Sequence, residues 1–403
     1  MGVGRSARDL LREGRRELPA VGAVISGEAP SLPYLVVDDT GSAVEPVSRF
    51  LRELALSDRS PLTVRSYAMD LLRWWRLLGV LEVGWDVATT DEVAVLVGWL
   101  RTAPNPQRRG SGFPGAMNVK TGKGALASGY ASSTINHALS VLSGFYAFHS
   151  HYGRGPVVNP VPPQARRRAV FAHRSPLEPV RHAPRAPLRQ RTPTLAPRAI
   201  ADPLWQELFD VMTCVRDRAL LACYVSSGAR ASELLGMNAE HVDWAGQRLW
   251  VVTKGTRLLE PVPASPLAFT LLALYFEEQG APQPGQPVWR TRRGGRRPLT
   301  YWAARRVLQR ANAKLGTNWT LHDTRHTAAT RMVNDPALTL PEVQTVMRHA
   351  HLATTQGYLG VNVEDLVVKM QQHYQRPPQG EPVTPVGYAA EDFTTVFGGG
   401  FGE

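Results

Sequence analysis

Over residues 44–160 apolar positions recur at three- and four-residue spacing, and that spacing predicts helices. Four segments carry it: PVSRFLREL, LTVRSYAMDLLRWWRLLGVL, DEVAVLVGWL and SSTINHALSVLSGFYAFHSHYG. Thr63 and Thr134 fall where N-caps or first-turn residues belong. Between the third and fourth segments, residues 104–129 are polar and Gly-rich and read as a mobile loop. The same spacing returns in LWQELFDVMTCVRDRALLACYVSS, residues 204–227, and again at 265–279, 300–315, 322–333, 340–348 and 363–375. One stretch breaks the pattern. RLWVVTKGTRLLEPVPA is rich in β-branched and apolar residues around the turn signal Lys254-Gly255, and predicts a hairpin.

The remaining stretches set the boundaries. Residues 1–43 form a basic segment: a short helix with Arg5, Arg8, Arg12, Arg15 and Arg16, then a Gly/Pro-punctuated stretch in which no strand pattern is read. Residues 44–160 form a helical domain and 204–375 a second domain. Between them, 161–203 is a linker. From 161 to 200 it holds nine Arg, eight Pro and one acid, Glu178, a proline density that opposes helix and sheet. Residues 376–403 read as a disordered tail rich in Pro, Gly and acids.

At 403 residues the chain is long enough for two separate cores. No apolar run approaches the roughly 18 residues that would suggest a membrane span. The N-terminus lacks an apolar signal core, so a cytoplasmic location without membrane association is expected. Cys214 and Cys223 read as buried thiols of a reducing compartment rather than a disulfide. Charge narrows the function further. Forty-six Lys+Arg against 34 Asp+Glu give +12 and a pI near 10.1, a surplus that attracts polyanions, with nucleic acid ahead of acidic membranes.

The stretch LHDTRHTAATRM then poses a choice between two chemistries. His322 and His326 are four apart, a spacing that can hold zinc on a helix. Yet the peptidase Glu is replaced by Asp323, no Cys stands near, and Arg325 would repel a dication. An anion site fits better, because a guanidinium is permanently charged and its planar fork matches phosphate oxygens. His322 and Arg325 would share a helical face, with His326 pointing elsewhere. In SSGARASELLGM, Gly228 marks a helix break before Arg230. Leu220, Leu221, Leu234 and Leu235 would bury that turn, so Arg230 needs an anion, internally Glu233 or externally a phosphate. MRHAHLATTQGYLGV adds His349, Thr354, Thr355 and Tyr358.

Together these motifs resemble the tyrosine recombinase family of the phage-integrase or lambda-integrase type. SSGARASELLGM supplies Arg230, TKGTR supplies Lys254, HDTRHTAAT supplies His322 and Arg325, and RHAHLATTQGY supplies His349 and, nine residues later, Tyr358. TVRSYAMDLLRWWRLL and SSTINHALSVLSGFYAFHSHYG resemble the family's core-binding domain. The resemblance implies a mainly α fold with a small β-sheet. A helical, SAM-like core-binding domain and a mixed α/β catalytic domain would form a C-shaped clamp on DNA. Three departures stand out: Ser227 for Thr, Met347-Arg348 for Leu-Gly, which adds a positive side chain beside the site, and a longer hairpin after Lys254. An arm-binding domain is not evident.

The resemblance also implies a mechanism. Arg230 and Arg325 would clamp the non-bridging phosphate oxygens, with His349 adding a hydrogen bond. Tyr358 would be the nucleophile, His322 its general base and Lys254 the acid for the 5′-oxygen. Two guanidiniums would do the electrostatic work that a metal does in other nucleases, so no metal, ATP or other cofactor is called for. Partners would be double-stranded DNA with a specific core site, a homo-tetramer formed through the helix at 363–375, and in some settings an accessory directionality factor. Arg65, Arg73, Arg166, Arg167 and Arg168 are candidate DNA contacts, whereas Trp74-Trp75 reads as packing. The reading is a site-specific recombinase or integrase of a phage or other mobile element. Alternatives are a tyrosine-type transposase, a chromosome-dimer resolvase, a type IB topoisomerase-like enzyme and a non-catalytic DNA-binding protein.

Overall fold

A computed structural model describes residues 6–105, 116–124, 129–161, 186–192, 198–253, 257–349 and 354–355. The chain divides into two compact units, Met1–Leu195 and Ala196–Glu403.

The first unit is built on four helices: α2 (Glu45–Leu56), α3 (Pro61–Leu81), α4 (Thr90–Thr102) and α5 (Ser132–His151). Each has a local reason to begin where it does. Ser60 caps α3 by accepting from the Thr63 amide, with Pro61 in the first turn, and Thr89 and Glu92 form a capping box on α4. The apolar faces meet in a core that includes Phe50, Leu71, Trp74, Leu96 and Phe145. Trp74 is fully buried, and its indole N–H donates to the Tyr146 hydroxyl at 2.9 Å. Tyr146 in turn donates to the Trp85 carbonyl at 3.0 Å. Packing, not base stacking, is what Trp74 does.

The N-terminal stretch differs from expectation. Its helix, α1 (Ala7–Arg12), is followed by two strands, β1 (Ala23–Ser26) and β2 (Tyr34–Val37), paired antiparallel with Ala23 opposite Val37. Leu11 and Val36 are fully buried, and Arg8 pairs with buried Glu92. Arg76 of α3 donates to the Val21 and Gly22 carbonyls at 2.6 and 2.9 Å. Four-residue strands are too short to show alternation, and it is α3 that gives this hairpin a surface to pack on.

Part of the linker is also tied down. Gln190 donates its amide to Asn136 Oδ1 at 2.8 Å, and Asn136 Nδ2 returns a bond to the Gln190 carbonyl at 2.9 Å. The Arg189 guanidinium adds a 3.0 Å bond to the Ser140 hydroxyl, so residues 186–192 lie on α5 rather than forming a free tether.

In the second unit the pattern at 204–227 resolves into two helices, α6 (Asp202–Asp210) and α7 (Val215–Ser227). The break lets α7 pack on α9 (Pro266–Gln279) while α6 packs on α10 (Tyr301–Leu315). A short α8 (Ala231–Leu235) follows α7, and α11 (Leu321–Val333) and α12 (Leu340–Met347) complete the helices among the described residues. The small sheet runs β3 (Val242–Asp243), β4 (Arg248–Val252), β5 (Leu259–Pro263), all antiparallel, with Val252 opposite Leu259. Leu220, Tyr224, Val251, Val262, Trp289 and Leu308 lie in the core between sheet and helices. Both cysteines are buried free thiols, and burial pushes the Cys223 thiol up to about 12. Among the described residues no helix is long and apolar enough to cross a membrane.

Candidate active site

Four of the six predicted catalytic residues are described, and three of them converge on one stretch of backbone, residues 347–349. The convergence begins at the end of α7. Gly228 takes the left-handed conformation at φ 60°, where a Cβ would meet the Met347 sulfur at 2.5 Å. Ser227 supports the turn, donating to the Cys223 carbonyl at 2.6 Å and accepting from the Ala229 amide at 3.2 Å. A hydroxyl is what this position uses, and the Ser that stands here in place of Thr supplies it.

Arg230 is the N-cap residue of α8, and its anionic partner is the internal one. Glu233 accepts from the Arg230 amide at 2.8 Å and from Nη1 at 2.7 Å. Arg230 keeps nearly a third of its side chain exposed, whereas the Glu233 side chain is buried. Burial opposes ionisation of Glu233. The Arg230 amide and the two guanidiniums of Arg348 and Arg230 outweigh it and hold the carboxyl below the usual range.

Asp323, standing where a zinc peptidase has its Glu, closes the capping box of α11. Its Oδ2 accepts from the Thr320 amide at 2.7 Å and hydroxyl at 2.8 Å. Arg325 is buried and donates to the carbonyl oxygens of Gly228 and Met347, which ties the Arg230 turn to the end of α12. His322 is exposed. His326 was expected to point elsewhere; instead, as an i, i+4 neighbour, its ring lies against that of His322, with centroids 4.2 Å apart. Among the described residues no three His, Cys, Asp or Glu side chains form a metal-binding group.

At the end of α12, Arg348 takes a left-handed turn at φ 51°, a conformation that costs a non-glycine residue on the order of 1 kcal/mol. The turn carries His349 into the site, where Nδ1 lies 2.9 Å from the Thr355 hydroxyl. Burial first, and then the charges of Arg325, Arg230, Arg348 and His326, lower the His349 pKa to about 4. The Arg348 side chain, expected as an added charge beside the site, is instead paired with Glu233 at 2.6 Å.

Lys254 and Tyr358 lie outside the described residues, as do Arg166, Arg167, Arg168, the 363–375 segment and the tail. The hairpin that carries Lys254 is closed by the Thr253 amide bonding to the Leu258 carbonyl at 2.9 Å.

On the first unit, Arg65 is exposed and Arg73 is paired with buried Asp70 while lying over the Tyr130 ring at 5.2 Å. Both line an open groove of about 410 Å³ with Ser133, Thr134 and His137. His137 was not singled out in the sequence. Its Nδ1 sits 2.8 Å from Asp70, 67 positions away, and that hydrogen bond raises its pKa. A second surface also went unread. Arg292, Arg293, Arg296 and Arg297 crowd an exposed turn closed by the Arg290–Pro298 bridge, and have no ion pair among the described residues. Exposed Arg305, Arg306, Arg310 and Lys314 follow on α10. The charge run RTRRGGRRP was the available signal.

Comparison with known proteins places this geometry in a family. Residues 204–365 match the Phage integrase family, and residues 47–109 match the Phage integrase, N-terminal SAM-like domain. The chain is 27% identical over 348 residues to tyrosine recombinase XerC of Yersinia pestis, covering 85% of this chain and 98% of that one. It is 24% identical over 358 residues to transposase A from transposon Tn554 of Staphylococcus aureus, covering 85% and 94%. The fold is similar to a crystal structure of a lambda integrase dimer bound to a COC′ core site. There the TM-score is 0.52 and the identity 14%, with 92% of this chain and 99% of that chain covered. The chain belongs to the phage integrase family of tyrosine recombinases, which are DNA strand-transferring enzymes.

Proposed function

We propose that this site-specific recombinase cuts and rejoins double-stranded DNA through a 3′-phosphotyrosyl bond to Tyr358. The observation that carries the reading is the meeting of Arg230, Arg325 and His349, from motifs spread over 120 positions, around one turn of backbone. Two guanidiniums and an imidazole in one place suit the non-bridging oxygens of a phosphodiester. Phosphodiesters resist attack because they are anionic, and fixed positive charge offsets that repulsion in the transition state.

In this reading the Tyr358 oxygen attacks phosphorus while its proton passes to His322. The bond from phosphorus to the 5′-oxygen breaks, and Lys254 protonates the departing oxygen. His349 is neutral above its lowered pKa. With the Thr355 hydroxyl donating to Nδ1, the ring proton sits on Nε2, available to a phosphate oxygen. The ester energy is kept in the phosphotyrosyl bond, so a second 5′-hydroxyl can reverse the attack on another strand without ATP. No metal is invoked. His326, packed on His322, is positioned to hold the base in place.

Arg65 and Arg73, the linker arginines Arg166, Arg167 and Arg168, and the arginine turn at 291–298 serve as phosphate contacts. The segment at 363–375 serves tetramer assembly on two sites, and an accessory factor sets direction where one is needed. The enzyme works on DNA in the bacterial cytoplasm. Likeness to the Tn554 transposase across most of both chains favours a mobile-element role, and likeness to XerC keeps chromosome-dimer resolution as the second reading.

The test is to express wild type and Tyr358→Phe in a bacterial host, lyse in strong detergent and sequence the covalently attached DNA. Adducts at one or two sharp sites, absent from the variant, are the expected result. Adducts from the variant would overturn the nucleophile, and adducts scattered over the genome would favour a topoisomerase-like enzyme.

A further inference from the structure

Glu233 and the backbone turn at 348 form a closed ring of bonds around Arg230. Arg230 Nη1 donates to Glu233 Oε1 at 2.7 Å, and Glu233 Oε2 accepts from Arg348 Nη2 at 2.6 Å. The ring closes where the Arg348 carbonyl accepts from Arg230 Nη2 at 3.2 Å. Arg348 is thus engaged through both side chain and backbone, and its Nη1 makes a further 2.8 Å bond to the Val346 carbonyl. Its side chain is about one-tenth exposed, so this is not a surface pair loosened by solvent.

The charge count gives the ring its meaning. Glu233 alone with Arg230 would make a neutral pair. With Arg348 included, two guanidiniums share one carboxylate and the trio keeps a net positive charge. The backbone points the same way. Arg348 occupies a left-handed position that glycine would take without strain, so local conformation alone gives no reason for an arginine there.

We infer that Arg348 is a positioning residue for this recombinase: through Glu233 and its own carbonyl it aims Arg230 and keeps that arginine's charge available to the scissile phosphate. The inference rests on the reading of Arg230 as a phosphate clamp.

The test uses full-length protein and a duplex carrying the site mapped by adduct sequencing, nicked so that cleavage is trapped. Arg348→Gly, Arg348→Met and Arg348→Lys are compared for single-turnover cleavage, DNA affinity and melting temperature. In Arg348→Gly the lost ion pair is offset by relief of the turn, so the melting temperature should stay close to wild type. Cleavage should fall about ten-fold, or about 1.4 kcal/mol, with affinity within about two-fold. Arg348→Met should lose cleavage to a similar extent but, without relief of the turn, melt somewhat lower, and Arg348→Lys should recover part of the loss of cleavage. Combining Arg348→Met with Glu233→Gln should cost less than the sum of the two, because both open the same ring.

Wild-type cleavage in Arg348→Gly and Arg348→Met would overturn the inference. So would cleavage and melting temperature falling in step with no rescue by lysine, the mark of a purely structural pair. Arg230→Ala, run in parallel, separates the two levels. If it cleaves normally, the clamp reading itself fails; if it is dead while the Arg348 variants are active, only the positioning role fails.

Discussion

Arg325, near the middle of α11, donates to the carbonyl oxygen of Gly228, the left-handed residue that ends α7 97 positions earlier. A buried guanidinium needs its donors satisfied, and the carbonyl oxygens of two turns, at Gly228 and Met347, take part in satisfying this one.

That relationship makes Gly228 sensitive. A Cβ there meets both an unfavourable φ and the buried Met347 sulfur at 2.5 Å. Gly228→Ala should destabilise the second unit by about 1–3 kcal/mol and reduce cleavage, since the turn also sets Arg230. Urea denaturation of residues 196–403 within the whole protein reads the first effect. An unchanged midpoint would show that the turn relaxes freely.

His349 supplies a pH prediction. Its folded pKa of about 4 lies below the usual histidine value of 6.5, so the unfolded chain binds more protons between those limits. Stability from this group is fully present above pH 6.5 and is lost as pH falls toward 4. His349→Gln should flatten that part of the stability curve of the second unit and leave the region above pH 7 alone. A curve still as steep as wild type in the variant would assign the slope to other groups.

The arginine turn at 292–297 makes a salt prediction. Each phosphate contact contributes roughly 0.9 to the slope of log affinity against log salt. Replacing Arg292, Arg293, Arg296 and Arg297 by Ala should lower that slope by about 3.6 if all four touch the backbone, with little dependence on sequence. Anisotropy titrations of a non-specific duplex between about 50 and 200 mM salt measure it, and an unchanged slope would remove the turn from the DNA interface.

The N-terminal segment carries a stability prediction. Leu11 is fully buried in the core of the first unit, and Arg8 pairs with Glu92 beneath α1. Leu11→Ala should cost about 2–4 kcal/mol of first-unit stability, an effect an independent arm would not show. Thermal unfolding followed at the buried Trp74 would report it.

Some of this was written in neighbouring residues. Helices α2 to α5 and α10 to α12 announced themselves because an apolar stripe needs only 3.6-residue spacing, with first-turn residues such as Thr63 and Thr134 marking two of the starts. The motifs around Arg230, Arg325 and His349 were legible for the same reason, since each is contiguous. The preference for an anion over zinc rested on contiguous residues too, since Arg325 sits in the same turn as the histidines.

Other features needed the fold. Strands β1 and β2 are four residues each and owe their existence to the face of α3. The break between α6 and α7 follows from their packing on different partners. The pairs Asp70–His137 and Glu233–Arg348 join residues 67 and 115 positions apart. Hydrogen bonds and ion pairs act over a few ångströms of space, and sequence distance says nothing about which groups arrive within that range. Sequence alone determined most of the helices, the family resemblance and the chemical kinds of residue at the site. Tertiary structure decided which charges meet and which are paired, because only packing fixes those distances and the burial that strengthens them.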